Sequence, residues 1–350
     1  VFNNLTANNC WGDGIFFYRT HVGSTDYIPE GVYFNGVTTI NNCRRQGVSM
    51  LAGKSVYFDV LNVNKIDGTD PMAGVDLESE HDVDLLGDIY INVLKCNQTK
   101  KGFTMRTRSP IVGDIHIGVI IHENPIGYTV TGIEGEGYEP SFRVMYEYFS
   151  TDQGKYMVSV DKVYSEKGCL QLENLYNDVT PKTVIGDVYT KEKYHFYAEN
   201  PTNYRSLLNI NYPLTTNLSN SLGNLLINSI TIDKVKVVDE TMLNDFSIVK
   251  VNYTGTTTLG SLKFENVRIN NIECTQGGEY ININNANSNV LFNNAYFSSR
   301  NIKDVYERRD SGSFTHVTAG GNTIYFMPES DPTASKTIQL RPRNTLQPMK

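Results

Sequence analysis

The feature that most restricts the fold of this chain is a glycine returning at a near-constant interval. Gly47, Gly74, Gly102, Gly127 and Gly154 stand 27, 28, 25 and 27 residues apart. Each of the first four precedes a short alternating segment: Val48-Ser49-Met50, Val75-Asp76-Leu77, Phe103-Thr104-Met105 and Tyr128-Thr129-Val130. Gly14 precedes another, Ile15-Phe16-Phe17. A second segment recurs between the markers as Val32-Tyr33-Phe34, Val56-Tyr57-Phe58, Ile89-Tyr90-Ile91 and Ile115-His116-Ile117, and later as Ile281-Asn282-Ile283. The period exceeds a strand pair and falls short of a propeller blade. It also lacks the leucine framework or the helices of other repeat classes. It fits one turn of a solenoid with three short strands per coil, so the expected fold is all-β, a right-handed parallel β-helix.

Stacked coils lie about 4.8 Å apart, which sets each residue over its equivalent in the previous coil. Two inward columns follow: Ile15, Val48, Val75, Phe103, Tyr128 and Phe17, Met50, Leu77, Met105, Val130. Asparagine pairs at turns (Asn41-Asn42, Asn270-Asn271, Asn284-Asn285, Asn293-Asn294) are candidates for hydrogen-bonded ladders. Cys10 and Cys43, each four residues before a marker glycine, read as stacked core residues. The other cysteines are scattered, with no zinc spacing, and no metal or cofactor is expected. The β-helix is expected over 1–303, with an insertion or long turn at 199–223 and a C-terminal cap or oligomerisation segment at 304–350. Val1 opens inside a coil, so N-terminal coils are expected to be missing. Neither a secretory signal nor a membrane-inserting segment is visible. A net charge of -7 argues against a nucleic-acid partner.

The sharpest chemistry sits on one outer face. Alternation points Asp76 and Glu78 the same way, with Cα atoms roughly 6.5 Å apart. Counting columns places Ser49 and Thr104 beside Asp76, Leu51 and Arg106 beside Glu78, and Glu80 beside Arg108. Paired carboxylates suit glycoside cleavage, one donating a proton and the other acting as base or nucleophile. The arginine beside Glu78 favours its ionised form, making Asp76 the acid. The rival reading is a solvated salt-bridge ladder of Glu78 with Arg106 and Glu80 with Arg108. Turns bearing Asp13, Arg44, Arg45 and Asp70 approach the same face, and Trp11, Phe16 and Tyr18 offer rings for stacking on sugars. The histidines are dispersed, and none is expected to face a nucleophile.

The runs Asn41-Asn42-Cys43-Arg44-Arg45-Gln46-Gly47-Val48-Ser49 and Gly68-Thr69-Asp70-Pro71-Met72-Ala73-Gly74-Val75-Asp76-Leu77-Glu78 resemble segments of pectate-lyase-like β-helix proteins. In particular they resemble the tailspike depolymerases of bacteriophages that infect encapsulated bacteria. Trp11-Gly12-Asp13-Gly14 is similar to the preceding coil of that family. The resemblance covers roughly residues 1–80, and Ser79 stands where the family commonly has proline. It implies a homotrimer in the virion tail that cleaves a bacterial surface polysaccharide, capsule or lipopolysaccharide, outside the host cell. It implies Asp76 and Glu78 as functional carboxylates and Arg44 and Arg45 as glycan contacts. A hydrolase is the expected activity. A lyase acting on a uronate-containing glycan and a non-catalytic adhesin or structural fibre are the alternatives.

Overall fold

The computed structural model describes residues 1–195, except 131–132, 169 and 176–178, together with the strands between Ser206 and Pro342. The chain is all-β and alternates between two extended sheets. Short strands (Ile15–Phe17, Gln46–Met50, Ala73–Ser79, Lys101–Thr107, Phe142–Tyr146, Leu170–Glu173, Ser206–Tyr212, Ser247–Tyr253, Ile281–Ile283) form a nine-stranded parallel sheet. Between them run longer strands, among them Glu30–Cys43, Gly53–Ile66, Leu86–Asn97, Ile115–Glu123, Met157–Ser165 and Lys182–His195, which pair in parallel in a fifteen-stranded sheet. Each round of chain thus adds one strand to the short-strand sheet and, to the other, either one long strand or two shorter ones, as with Phe2–Asn3 and Thr6–Asn8 or Ser261–Phe264 and Val267–Glu273. In the rounds from Glu30 to Val237 the second and third short strands expected per turn run together as one bent strand, whose inward–outward alternation shifts midway. At the bend Gly118 lies so close to the Asn92 carbonyl that a Cβ would meet its oxygen at 2.5 Å.

The space between the sheets is filled by columns of like residues. Ile15, Val48, Val75, Phe103, Phe142 and Leu170 stand in register in the short-strand sheet. Phe34, Phe58, Ile91, Ile117 and Val160 do so opposite them. Phe34 and Phe58 stack at 4.3 Å, and both are buried. The marker glycines are required by this closeness. A Cβ on Gly47 would meet the Gly74 carbonyl at 2.4 Å, and one on Gly74 would meet Cys96 Sγ at 2.2 Å.

The glycine ruler fails after Gly102. The next strand in register is Phe142–Tyr146, not Tyr128–Val130, because Phe103 pairs with Phe142. Tyr128–Val130 instead pairs antiparallel with Ile133–Gly137, a hairpin inserted between rounds. Gly154 belongs to a short 3-10 turn, Thr151–Lys155. Ser141 takes the glycine position, and the facing core residue becomes polar to match: the column Ile40, Val63, Cys96 continues as His122, Ser165 and Thr190, all buried. Ile281–Ile283 also belongs to the short-strand sheet and not, as its pattern suggested, to the second kind of segment. Part of the expected insertion at 199–223 is regular, since Ser206–Tyr212 pairs in register with Leu170–Glu173. In the segment 304–350 the strands Asn322–Met327 and Lys336–Pro342 pair antiparallel, and the rest lies outside the described residues.

The Asn41-Asn42 ladder is present and longer than expected. Asn41 Nδ2 donates to Asn8 Oδ1 at 2.8 Å, Asn64 to Asn41 at 3.0 Å, and Asn42 to Asn9 at 2.6 Å. Asn9, Asn42, Lys65, Gln98 and Asn124 all turn the corner with positive φ, a conformation asparagine tolerates well. The side chains of the three later asparagine pairs lie outside the described residues. Cys43 is buried and Cys10 half-buried, both as free thiols. Among the described residues no helix is long and apolar enough to cross a membrane.

Candidate functional site

The outer face of the short-strand sheet carries the candidate site. Asp76 stands in register with Ser49 before it and Thr104 after it, and Glu78 with Arg106, as column counting expects. Their inward neighbours Val75 and Leu77 are core residues, which locks the alternation that turns both carboxylates outward. Burial departs from expectation for an outer position. Asp76 is only 4% exposed, beside the equally sequestered Gln46, Ser49 and Thr104. Burial, and secondarily the charge of Glu78, push its carboxyl up to about 7, although Lys101, Arg45 and Arg143 oppose the shift. The Gln46 amide donates to Asp76 Oδ2.

A diagonal pattern supports this pocket. Gln46 reaches from one round to Asp76 three positions along in the next, and Asp13 likewise reaches Ser49. Burial raises the Asp13 carboxyl, while Arg45, 3.5 Å away, and the Ser49 hydroxyl draw it back down. One Asp13 carboxylate oxygen and the Gln46 side-chain amide oxygen are buried with no hydrogen-bond partner. Glu78 is more open, and Arg106 Nη1 lies 3.5 Å from it.

Arg106 is shared. Its other contact is Glu147, at 2.7 Å, which also takes Arg108 Nε at 2.9 Å. Burial works against the Glu147 charge, but the two guanidinium hydrogen bonds and their positive charge outweigh it and hold the carboxyl low. The expected pairing of Glu80 with Arg108 is therefore corrected: Arg108 turns forward to Glu147, and the exposed Glu80 donates its backbone N–H to Asp84. Tyr146 in the strand between is inward and buried, which turns the next residue, Glu147, to the outer face.

The turn residues lie at the N-terminal edge of the same sheet. Arg44 covers the Trp11 ring at 4.5 Å, and Trp11 is 83% exposed. Phe16 and Tyr18 stack at 5.8 Å with both rings largely open. Phe16 is in register with Ser49 and hence on the Asp76 row. Asp70 is taken up by Lys100 at 2.7 Å, a pair joining two successive turns.

Sequence reading missed Gln46, Lys101, Glu147, Arg143, Gln171 and Glu173 on this face. The last three were hidden by the slipped ruler, since counting from Phe142 puts Arg143 beside Thr104. It also missed a buried histidine facing a hydroxyl: His122 Nδ1 is 2.8 Å from Ser141 Oγ, and its Nε2 is 3.1 Å from Thr99 Oγ1. That trio is sealed in the core and has no carboxylate in it, so it cannot serve an external substrate. Among the described residues no cluster of His, Cys, Asp and Glu could hold a metal ion.

The class of protein defined by these observations is an all-β chain of long parallel sheets with a recessed carboxylate beside an open one. No known family model, curated protein or solved structure matches the chain.

Proposed function

We propose that the chain is an endo-acting polysaccharide depolymerase of glycoside hydrolase type, with Asp76 as proton donor and Glu78 as the partner carboxylate. One observation carries this reading. Asp76 is recessed and its carboxyl is pushed up to about 7, while Glu78, two residues along the same outer face, is more open and next to Arg106. Two carboxylates whose surroundings separate their proton affinities are what acid-assisted glycoside cleavage requires. Asp76 keeps a proton near neutrality to give to the leaving oxygen. Glu78 is set to stabilise or attack the developing oxocarbenium centre or to activate water. The open rings of Trp11, Phe16 and Tyr18 offer stacking surfaces, and Arg44, Arg45, Arg106 and Arg108 offer donors to hydroxyls.

We infer that the two sheets are walls of a right-handed parallel β-helix, the hand that parallel crossover connections almost always take. The resemblance of the runs around Arg44-Arg45-Gln46-Gly47 and Ala73 to Glu78 to segments of phage tailspikes supports a virion-tail trimer whose substrate is a capsule or lipopolysaccharide. A lyase is the second reading, favoured by the positions of Arg45 and Lys101. Both act electrostatically on Asp76 and could neutralise a uronate while a carboxylate removes the C5 proton.

The test is incubation with a panel of purified capsular polysaccharides, followed by mass spectrometry of the products. Shortened chains with water added support the hydrolase, and unsaturated uronate ends support the lyase. Asp76→Asn and Glu78→Gln should each lose cleavage by about 10²-fold or more, the usual contribution of an acid–base group. Near-wild-type cleavage by both variants would remove the proposal.

A further inference from the structure

A second recessed carboxylate stands on the same face. Glu173 accepts from Gln171 Nε2 at 2.5 Å and from Arg143 Nη2 at 3.1 Å. The arrangement repeats the one at Asp76, a buried carboxylate held by a buried glutamine amide. In both cases the amide oxygen, Gln46 Oε1 or Gln171 Oε1, is buried without a partner, and so is Arg143 Nε. Buried polar atoms are almost always hydrogen-bonded in folded proteins, so several orphans on one sheet face call for an explanation. The register ties the two places together. Asp76, Thr104, Arg143 and Gln171 form one row, and Glu78, Arg106, Met145 and Glu173 form the next. With strands about 4.8 Å apart, Gln171 lies three strands, about 14 Å, from Asp76 along the stack.

We propose that Arg143, Gln171 and Glu173 form a distal carbohydrate subsite that takes the vicinal hydroxyls of a neutral pyranose in the glycan whose bond lies at Asp76. This rests on the depolymerase reading above. A diol both donates and accepts, matching the orphan Gln171 oxygen and the orphan Arg143 N–H. A uronate is disfavoured here, because Arg143 is already neutralised by Glu173, whose charge would face the incoming carboxylate. Arg143 and Glu173 are the solvent-facing members, with side chains 22% and 10% exposed.

The experiment uses the full chain and size-fractionated oligosaccharides prepared from whichever capsular polysaccharide it shortens. The readout is the ratio of kcat/KM for long over short oligosaccharides in wild type, Gln171→Met and Glu173→Gln, with thermal melting to confirm folding. Loss of the subsite should cut that ratio about tenfold, the effect of one or two missing hydrogen bonds. A general structural defect would lower both rates together. If Gln171→Met does not fold, the isosteric Glu173→Gln decides. An unchanged ratio in folded variants, with Asp76→Asn inactive, overturns the subsite alone. An active Asp76→Asn overturns the catalytic reading while the ratio still reports on the subsite. If wild type shortens no polysaccharide in the panel, both fall.

Discussion

Gln46 donates its amide to Asp76 across the boundary between successive rounds, holding a carboxyl that burial has already pushed up to about 7. A carboxyl whose folded value is raised favours folding fully below its unfolded value of 3.8, and that support is lost as pH climbs through 7. Asp76→Asn removes the titration and keeps an acceptor for Gln46. Its melting temperature should match wild type near pH 3.5, rise above it through pH 4 to 7, and level off beyond. The gain should be on the order of 2–4 kcal/mol at pH 8. Equal stability of the two proteins at pH 8 would show that Asp76 is not strained by its site.

His122 makes the opposite prediction. Burial lowers its value to about 4 from an ordinary 6.5, so it is neutral inside the core near pH 7. The stability this confers is complete above pH 6.5 and lost as pH falls toward 4, where the folded ring finally protonates. The total is roughly 3 kcal/mol. His122→Gln keeps a polar partner for Ser141 without titrating. Between pH 6.5 and 4 its melting curve should fall less steeply than that of wild type, and parallel curves would refute the assignment.

The extent to which this fold could be read from sequence depended on what the glycines were doing. Gly14, Gly47, Gly74 and Gly102 mark real strand starts because adjoining backbone or side chains leave no room for a Cβ. Ser141 breaks the rule invisibly: its hydroxyl is accommodated by His122, a residue far away in sequence. Gly127 and the Tyr128–Val130 strand that follows it, paired with Ile133–Gly137, then happened to offer a glycine and an alternating segment at nearly the right interval. The Asp76–Glu78 face was legible because alternation and register are local. The burial of Asp76 was not, since outer positions of a stacked sheet are ordinarily solvated. Nor was the choice of Arg108 for Glu147 over Glu80, because side chains of that length reach either neighbouring round.

The glycine argument can be tested at one atom. Gly74→Ala forces a methyl to within 2.2 Å of Cys96 Sγ and 2.8 Å of the Gly102 carbonyl, whereas a Cβ at Gly12 meets nothing within 4 Å. Overpacking of this kind costs about 1–3 kcal/mol, and the carbonyl cannot rotate away as a side-chain tip could. Urea denaturation should place Gly74→Ala well below wild type. Gly12→Ala should stay within about 0.5 kcal/mol. Comparable midpoints for the two variants would mean the marker glycines are not steric spacers.

Asn41 is the central rung of the corner ladder, donating to Asn8 and accepting from Asn64. Asn41→Asp keeps the acceptor for Asn64 but sets a carboxylate against Asn8 Oδ1, converting a donor–acceptor contact into a repulsive one. Asn41→Ala removes both bonds and leaves Asn8 and Asn64 to water. If the ladder stabilises the corner, both variants lose about 1–2 kcal/mol, the range for one exposed and one part-buried amide hydrogen bond. The aspartate should regain most of its loss below pH 4, where its carboxyl can donate again. The alanine should show no such recovery. Urea midpoints at pH 3.5 and pH 7 separate these outcomes. A pH-independent loss in Asn41→Asp would show that packing at the turn, and not the amide chain, holds neighbouring rounds together there.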